Sequence, residues 1–267
     1  MKKFLYKIKN LKELVRHYPF DVFQTKILKR KLSICDFFLF RNDNFDCKFI
    51  AENNLSLLTG ENIQCTHNFT FFDNLGKICS QKVFKSSNYK IDIQIDKEMT
   101  NHIGYGSFTH HVSYAREDLL RFIYLKKLSF QNRGYTGYKY KKQSGYSFVH
   151  GNFGGLYIDR QKNIKSLSRK RPTHFYTPQF SIKPGFSYDL FFSNPTKKPI
   201  RISIYKITEQ GKFCIGSLVI EGFGTDVFKI DVTEVKQSFN VSWSSHFPVG
   251  RAIIFKHKED HFDVFHT

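Results

Sequence analysis

Apolar residues alternate with polar ones over several short stretches, the period-two pattern of strands that are buried on one face. One stretch runs from residue 63 to residue 71, and another from residue 89 to residue 95. The pattern returns at residues 200–204 and 227–232, and turn-forming Gly, Asn, Asp and Pro residues lie between the stretches, as at 73–76. Short strands at this spacing predict an all-β chain of antiparallel sandwiches, immunoglobulin-like or jelly-roll-like.

The beginning of the chain follows a helical period instead. Phe4, Ile8 and Leu11 fall on one stripe of a helix, and several lysines lie away from that stripe. The pattern predicts a short basic amphipathic helix within residues 1–30. Such a helix either packs on its own domain or lies on an anionic membrane surface through residues 2–16.

Residues 76–116 and 211–251 align without a gap at one fixed offset. A period this long is typical of duplicated domains rather than of a solenoid. The alignment therefore predicts two tandem related β-sandwiches. The matched pairs include Gly76 and Gly211, Cys79 and Cys214, Ile95 and Ile230, Ser107 and Ser242, His111 and His246, and Arg116 and Arg251.

These patterns divide the chain into four predicted segments. Residues 1–30 form the basic helical segment, 31–118 the first sandwich and 181–267 the second. Residues 119–180 form a connecting segment that is rich in Gly, Tyr and Lys. Glycines at this density are typical of loops and of sharp strand bends where a ligand or another backbone approaches closely.

An excess of basic residues narrows the choice of partner. The chain has 42 Lys and Arg residues against 23 Asp and Glu, a formal net charge of +19. The bias is strongest at residues 121–171, where Asp159 is the only acidic residue. A charge of this size raises the local concentration of nucleic acid, acidic glycan or anionic lipid. We therefore expect an anionic polymer or glycan as partner.

Cysteine usage and the absence of targeting signals bear on the compartment. The five cysteines form no CxxC pair, and their odd number argues against a disulfide framework. Lysines interrupt the N-terminal apolar residues, unlike a signal peptide, and no apolar run is long enough to span a membrane. The glycine-rich stretch at 151–155 lacks the ending of a phosphate-binding loop. The expectation is a cytoplasmic protein without a cofactor.

The second half of the chain also has an Asn-initiated turn before an alternating strand, and a closing strand with a basic, His-containing end. These features lie at residues 192–195, 200–205, 211, 228–231 and 245–257. In them the chain resembles the small β-sandwich family that includes the sensory rhodopsin transducer proteins, over residues 187–262 and more faintly over 48–116. The resemblance implies a sandwich that acts by binding, forms homo-oligomers and has no established catalytic centre. That family has one domain, whereas this chain carries two copies.

Basic and aromatic residues are interleaved within the connecting segment. Cations can neutralise phosphates or carboxylates, and flat rings can stack on bases or sugar faces. The alternative is a solvated hairpin with packed Tyr rings and wet Lys amines. The glycines that follow would let a ligand reach the main chain, or would only allow strands to cross. The predicted ligand-binding residues are Arg133, Tyr135, Tyr138, Lys139, Tyr140, Lys141, Lys142, His150 and Asn152.

Histidine offers an alternative chemistry. His110, His111, His150 and His246 could hold a metal ion such as zinc, or could serve as structural hydrogen-bonding residues. The preferred function is a non-catalytic binding or scaffold protein that engages an anionic or sugar-containing polymer. A His-dependent metal-assisted hydrolase or carbohydrate-active enzyme stays open, as does a structural assembly component.

Overall fold

The structure of the chain is a computed structural model. The predicted N-terminal helix, with its membrane contact through residues 2–16, lies outside the described residues. The structure describes residues 33–115, 117–118, 131–132, 134–140, 143–158, 164–166, 174–231, 233, 235–246, 252–259 and 261–266.

The first part of the described chain is a run of strands, as the alternation predicts, with one short helix. No helix in the described ranges is long and apolar enough to cross a membrane. The elements are Ser33–Arg41 (β1), Phe45–Glu52 (β2), Asn54–Thr59 (α1), Cys65–Phe72 (β3), Ile78–Ser86 (β4), Lys90–Ile95 (β5), Tyr105–Tyr114 (β6), Gln131–Asn132 (β7), Gly134–Tyr140 (β8), Ser147–His150 (β9), Asn152–Ile158 (β10) and Ile164–Ser166 (β11).

The second part of the described chain consists of strands and their connections. The predicted alternation at residues 200–204 lies within β15, which pairs with β16 along its whole length. The strands are His174–Tyr176 (β12), Ser181–Ile182 (β13), Ser187–Ser193 (β14), Ile200–Thr208 (β15), Gly211–Ile220 (β16), Thr225–Ile230 (β17), Phe239–Ser245 (β18), Ile253–Lys258 (β19) and His261–His266 (β20). The described chain is therefore all-β apart from α1.

Four sheets, which we call A to D, contain these strands. Sheet A has the order β11-β10-β1-β6-β3-β4 with β7 beside β1, and sheet B has the order β5-β2-β8-β9. Sheet C has the order β12-β18-β15-β16 with β13 beside β18, and sheet D has the order β17-β14-β19-β20. Among the described strands, only β1 and β7 pair in parallel. Residues of the predicted connecting segment thus contribute β7 to β11 to sheets A and B, and β12 to sheet C.

Aromatic side chains dominate the space between sheets A and B, whereas isoleucine and other aliphatic residues with a few aromatic rings fill the space between sheets C and D. Phe38 of sheet A contacts Phe49 of sheet B edge to face, with ring centroids 4.9 Å apart. Trp243 of sheet C contacts Phe192 of sheet D in the same manner, at 5.1 Å. Sheets A and B therefore enclose one core and sheets C and D enclose another. Large rings suit this position because each buries a large apolar area on one face of a pleated strand.

The two pairs of sheets share part of their strand order, although sheet A has seven strands and sheet C has five. The order β6-β3-β4 in sheet A corresponds to β18-β15-β16 in sheet C, and β5-β2-β8-β9 in sheet B corresponds to β17-β14-β19-β20 in sheet D. A bulge interrupts the hairpin of β3 and β4, and another interrupts the hairpin of β15 and β16. The sequence match at a fixed offset falls on β4 to β6 and on β16 to β18.

A buried ion cluster joins the two pairs of sheets. Arg41 Nη1 of sheet A lies 2.8 Å from Asp189 Oδ2 of sheet D, an ion pair without the alignment of a hydrogen bond. His257 Nε2 lies 3.1 Å from the same oxygen. The Arg41 guanidinium also lies 4.5 Å from the ring centroid of Phe45 and 4.6 Å from that of Phe255. Both side chains of the ion pair are largely removed from water. Arg41 Nε also donates to Asp43 Oδ1 at 3.0 Å, so Asp189 and Asp43 together compensate the guanidinium.

Two turns make a second contact between the pairs. The turn at residues 73–76 meets the turn between β16 and β17, where the Thr225 N–H donates to the Asn74 carbonyl oxygen at 3.0 Å. Gly76 has φ +80°, and a Cβ there would overlap the carbonyl oxygen of Gly222. The close approach of the two turns therefore requires glycine at position 76.

Replacing Gly76 by alanine is expected to cost about 1–3 kcal/mol more than replacing Gly185. Gly185 has the same φ of +80° but no atom within 4 Å of an added Cβ, so the comparison cancels the backbone strain. The free energies of unfolding from urea titrations of Gly76→Ala and Gly185→Ala measure the difference. Equal losses would show that the two turns do not touch.

Candidate ligand-binding face

The outer face of sheet B carries Tyr135 and Lys139 of the predicted basic aromatic segment. Successive side chains of β8 point to opposite sides of the sheet, so Tyr135, Gly137 and Lys139 face outward. Tyr135 is 51% exposed, whereas Thr136 and Tyr138 are buried on the inner side. The period-two pattern of a strand thus divides the predicted site residues into two sets.

Two rings of the β9 region lie beside one another on this face. Phe148 of β9 is opposite Gly137 of β8, and a Cβ at Gly137 would lie 2.5 Å from the Phe148 ring. The absent side chain lets the Phe148 ring lie against the sheet while 41% of the residue stays exposed. The ring of Tyr146 follows at a centroid distance of 6.0 Å, and its hydroxyl donates to Gln94 Oε1 at 3.3 Å.

Two lysines flank these rings. Lys48 Nζ lies 4.7 Å from the Tyr146 ring centroid and 5.6 Å from that of Phe148. Lys139 Nζ lies 5.5 Å from the Tyr146 ring centroid. These distances are those of cation–π contacts. We call the set Lys48, Tyr135, Lys139, Tyr146, Phe148 and His150 the sheet B face.

Each lysine of the sheet B face is also paired with an aspartate. Lys48 Nζ lies 3.0 Å from Asp92 Oδ2, and Lys139 Nζ lies 2.8 Å from Asp46 Oδ2. The hydrogen bond to Asp46 raises the pKa of Lys139, so its ammonium stays charged at neutral pH. The face therefore combines flat apolar surface with closely spaced hydrogen-bond donors and acceptors, while its local charge is nearly balanced.

His150 and Asn152 follow different sheets. His150 is the last residue of β9 in sheet B, whereas Asn152 begins β10 in sheet A opposite Phe37. Gly151 lies at the crossing, where a Cβ would lie 2.6 Å from the Phe38 ring. The glycine thus lets the chain pass from sheet B to sheet A. This crossing lies within the first pair of sheets and not between the two predicted copies. His150 is exposed, and its ring lies 4.0 Å from that of His266.

Tyr138 and Tyr140 do not belong to the exposed face, which corrects their place in the predicted site. Tyr138 is fully buried, and its hydroxyl donates to the Leu39 carbonyl oxygen at 2.8 Å. Burial raises the pKa of Tyr138 well above its usual value, so the hydroxyl is a neutral donor. Tyr140 is partly buried and packs on Phe45 at 5.5 Å. The predicted residues Arg133, Lys141 and Lys142 lie outside the described residues.

The predicted histidines His110 and His111 are both buried. Neighbours on β6, they point to opposite sides of sheet A. His110 Nε2 lies 2.9 Å from His67 Nδ1, and His67 Nε2 lies 3.1 Å from Cys65 Sγ. On the other side, His111 Nε2 lies 3.2 Å from Cys35 Sγ. These contacts are those of buried hydrogen-bonding residues.

Burial controls the ionisation of these histidines. It lowers the pKa of His67 to about 4, that of His111 to about 3 and that of His110 well below its usual value. All three side chains are therefore neutral at pH 7. Protonation would place a charge where burial has removed most of the water that could solvate it.

The four histidines of the metal hypothesis do not converge. His110 and His111 point apart, His150 lies in sheet B, and His246 follows β18 of sheet C. Within the described ranges, no group of three His, Cys, Asp or Glu residues is placed to hold a metal ion. The metal-assisted hydrolase therefore gains no support from this part of the chain.

Sequence reasoning missed Lys48 of the sheet B face, and also missed Asp46, Asp92 and Gln94, which contact residues of that face. Each lies on a strand in an outward position next to a buried residue, as Lys48 does beside Cys47 and Phe49. That alternation is a readable signal for exposure. The alternation does not indicate which of these exposed residues will contact side chains of β8 and β9.

Comparison with known proteins finds only low similarity. No protein-family model matches the chain, and no curated protein matches it. One similar solved structure is the M60 catalytic domain with the CBM51-1 and CBM51-2 domains from Clostridium perfringens ZmpB, at 7% identity over 78% of this chain with a TM-score of 0.20. Another is that of infectious bursal disease virus Gx strain, at 11% identity over 88% of this chain with a TM-score of 0.14.

These similarities are too low to establish a shared fold. The chain spans 31% of the length of the first of these chains and 55% of the second.

Proposed function

We propose that the chain is a non-catalytic binding protein that engages a sugar-containing, acidic polymer through the sheet B face. The observation that carries the proposal is the placement of Phe148 on Gly137, beside Tyr146 and below the Lys48 ammonium. Two neighbouring rings with flanking polar groups suit a ligand that has both flat apolar faces and hydroxyls. Sugars have this combination.

The charges of the face favour a sugar over a bare polyanion as the group in direct contact. Asp92 and Asp46 already compensate Lys48 and Lys139, so the face has little net charge to neutralise phosphates. The net charge of +19 acts over a longer range and attracts an anionic chain toward the protein. Stacking then selects the sugar ring, and the overall charge selects an acidic polymer.

Binding to heparin, an acidic glycan, tests this proposal against variants of the face. Phe148→Ala is expected to weaken binding about tenfold, because we expect a sugar face stacked on the ring to contribute at the lower end of the roughly 1–3 kcal/mol of a stacked base. Lys139→Glu is expected to weaken it as well, and rising salt should weaken binding by all variants. Phe175→Ala, which removes an exposed ring from sheet C, is the matched control and should bind as the wild type does.

The proposal fails if heparin does not bind at low salt, or if Phe148→Ala and Phe175→Ala bind equally well. Circular dichroism of each variant separates a lost contact from a lost fold. Both rings are exposed and neither fills a core, so we expect both variants to keep the wild-type spectrum.

We also propose that the two pairs of sheets are tandem related β-sandwiches, spanning residues 33–166 and 174–266. Their common strand order and the fixed offset between residues 76–116 and 211–251 support this relation. Under this proposal the sheet B face belongs to the first copy. In the second copy, β19 and β20 occupy the places of β8 and β9 and pack against the first pair through Phe255 and Phe262. Duplication would then have left one copy free to bind and made the other its support.

A further inference from the structure

Strand β16 is a long edge strand on sheet C. It has ten residues, and among the described strands it pairs only with β15. The main-chain groups on the outer side of such a strand have no partner strand, which makes it a template for another chain.

The side chains of β16 are unusually apolar for an exposed edge. Phe213, Ile215 and Val219 are 49%, 36% and 55% exposed. No charged residue occurs between Phe213 and Ile220. Edge strands of soluble proteins are commonly protected by charged residues, above all lysine, so this edge lacks the usual protection.

The corresponding edge strand of sheet A provides the contrast. β4 occupies the same position in the strand order as β16, and its Val83 is 63% exposed. Two exposed lysines, Lys82 and Lys85, flank Val83 on either side. They would meet like charges if two β4 strands approached one another. The same position in the fold is thus protected in one sheet and open in the other.

Charge indicates which partner the β16 edge accepts. Two copies of the chain, each with a net charge of +19, repel one another over most of their surface. Lys212 lies at the start of β16, but the uncharged segment from Phe213 to Ile220 is a place where two copies can approach without opposing cations. An antiparallel pair of identical strands about a two-fold axis is also self-complementary, as a closed dimer requires.

We propose that the β16 strands of two copies pair antiparallel and join two five-stranded C sheets in a homodimer. The bulge at Ile204 and Tyr205 leaves Ile215 unpaired with β15, so the straight segment from Gly216 to Ile220 provides the pairing. The sheet B face is not part of this edge, so the dimer does not depend on the proposed polymer binding.

Analytical ultracentrifugation from about 1 µM to about 100 µM tests the dimer, a range that covers moderate self-association. The wild type is expected to dimerise, and more strongly at higher salt because salt screens the repulsion between copies. Val219→Lys should weaken dimerisation at least about tenfold. Val83→Lys, the same change on β4, should leave it unchanged.

A wild-type protein that stays monomeric over the whole range would overturn the proposal. So would a dimer that survives Val219→Lys, or one that Val83→Lys dissociates to the same extent. Val219 is exposed, so Val219→Lys should keep the wild-type circular dichroism spectrum. If it does not, Ser217→Lys, at an exposed position on the same segment, gives the same test.

Discussion

Acidification from pH 7 to pH 4.5 is expected to remove about 2–3 kcal/mol of stability for each of His67 and His111, within the total of about 5–15 kcal/mol for a native protein. The unfolded chain takes up protons below a pKa of 6.5, whereas the folded chain holds these rings neutral until about pH 4 and pH 3. His110 acts in the same direction. The chain is therefore expected to unfold in mild acid.

The free energy of unfolding falls with falling pH because the unfolded state binds more protons than the folded state. Above pH 6.5 neither state protonates these histidines, and their contribution does not depend on pH. Below pH 6.5 the unfolded state alone gains protons, so the free energy of unfolding falls until the folded pKa values are reached. Asp189, whose pKa is lowered from 3.8, acts only in the more acidic range below that value. The window between pH 6.5 and pH 4.5 thus reports on the histidines.

Urea unfolding monitored by circular dichroism at several pH values measures this dependence. Replacing His111 by glutamine is expected to reduce the slope by about 1.4 kcal/mol per pH unit, the effect of one proton. The matched control is His102→Asn, since His102 is exposed and has φ +62°, which asparagine tolerates. A free energy of unfolding that is constant between pH 7 and pH 4.5 would contradict the buried, neutral histidines.

Breaking the ion cluster between the two pairs of sheets is expected to cost about 3–5 kcal/mol. Arg41→Leu leaves the Asp189 carboxylate with the His257 hydrogen bond but without its cation. Asp189→Leu removes one of the two carboxylates that pair with the Arg41 guanidinium and leaves Asp43, at the half-exposed side of the cluster. Burial raises the pKa of Asp189, but the hydrogen bond from His257 and the charge of Arg41 outweigh it and lower the pKa. The carboxylate is therefore charged at neutral pH and requires both partners.

A double-mutant cycle distinguishes the pair from its parts. Arg41→Leu combined with Asp189→Leu should cost less than the sum of the two single changes, because no unpaired charge remains buried. Removing the exposed pair of Lys48 and Asp92 should cost at most about 1 kcal/mol in the same urea assay. Additive losses for Arg41 and Asp189 would show that the two residues do not interact.

Local alternation made the strands predictable. Cys65, His67 and Phe69 share one face of β3, as the period-two pattern over residues 63–71 indicates, and the predicted turn at 73–76 follows. Both features depend only on neighbours in sequence, because alternation reports burial on one face of a strand.

Tyr138 illustrates where local reading failed. The same alternation places Tyr138 and Tyr135 on opposite faces of β8. Gly134 and Gly137 interrupt the apolar pattern, however, and made the strand resemble a loop. These glycines give room to Phe49 and Phe148, which come from other strands. The reason for a glycine that admits a distant side chain is not visible in its own segment.

The remaining contacts join positions far apart in the chain. The repeat pairs His111 with His246, whereas the hydrogen-bonding partner of the neighbouring His110 is His67. Likewise Lys48 meets Tyr146 only because β2 pairs with β8 and β8 with β9. Strand pairing decides these contacts, and the residue pattern of a single strand does not specify its partner.

Amide hydrogen exchange of the wild-type protein, with and without saturating heparin, tests the proposed binding face most directly. Bound polymer is expected to slow exchange in β2, β8 and β9, the strands that carry Lys48, Lys139 and Phe148. Strands β15 and β16 of sheet C should exchange as in the free protein. Slowed exchange confined to sheet C, or none in sheet B while heparin is bound, would contradict the account.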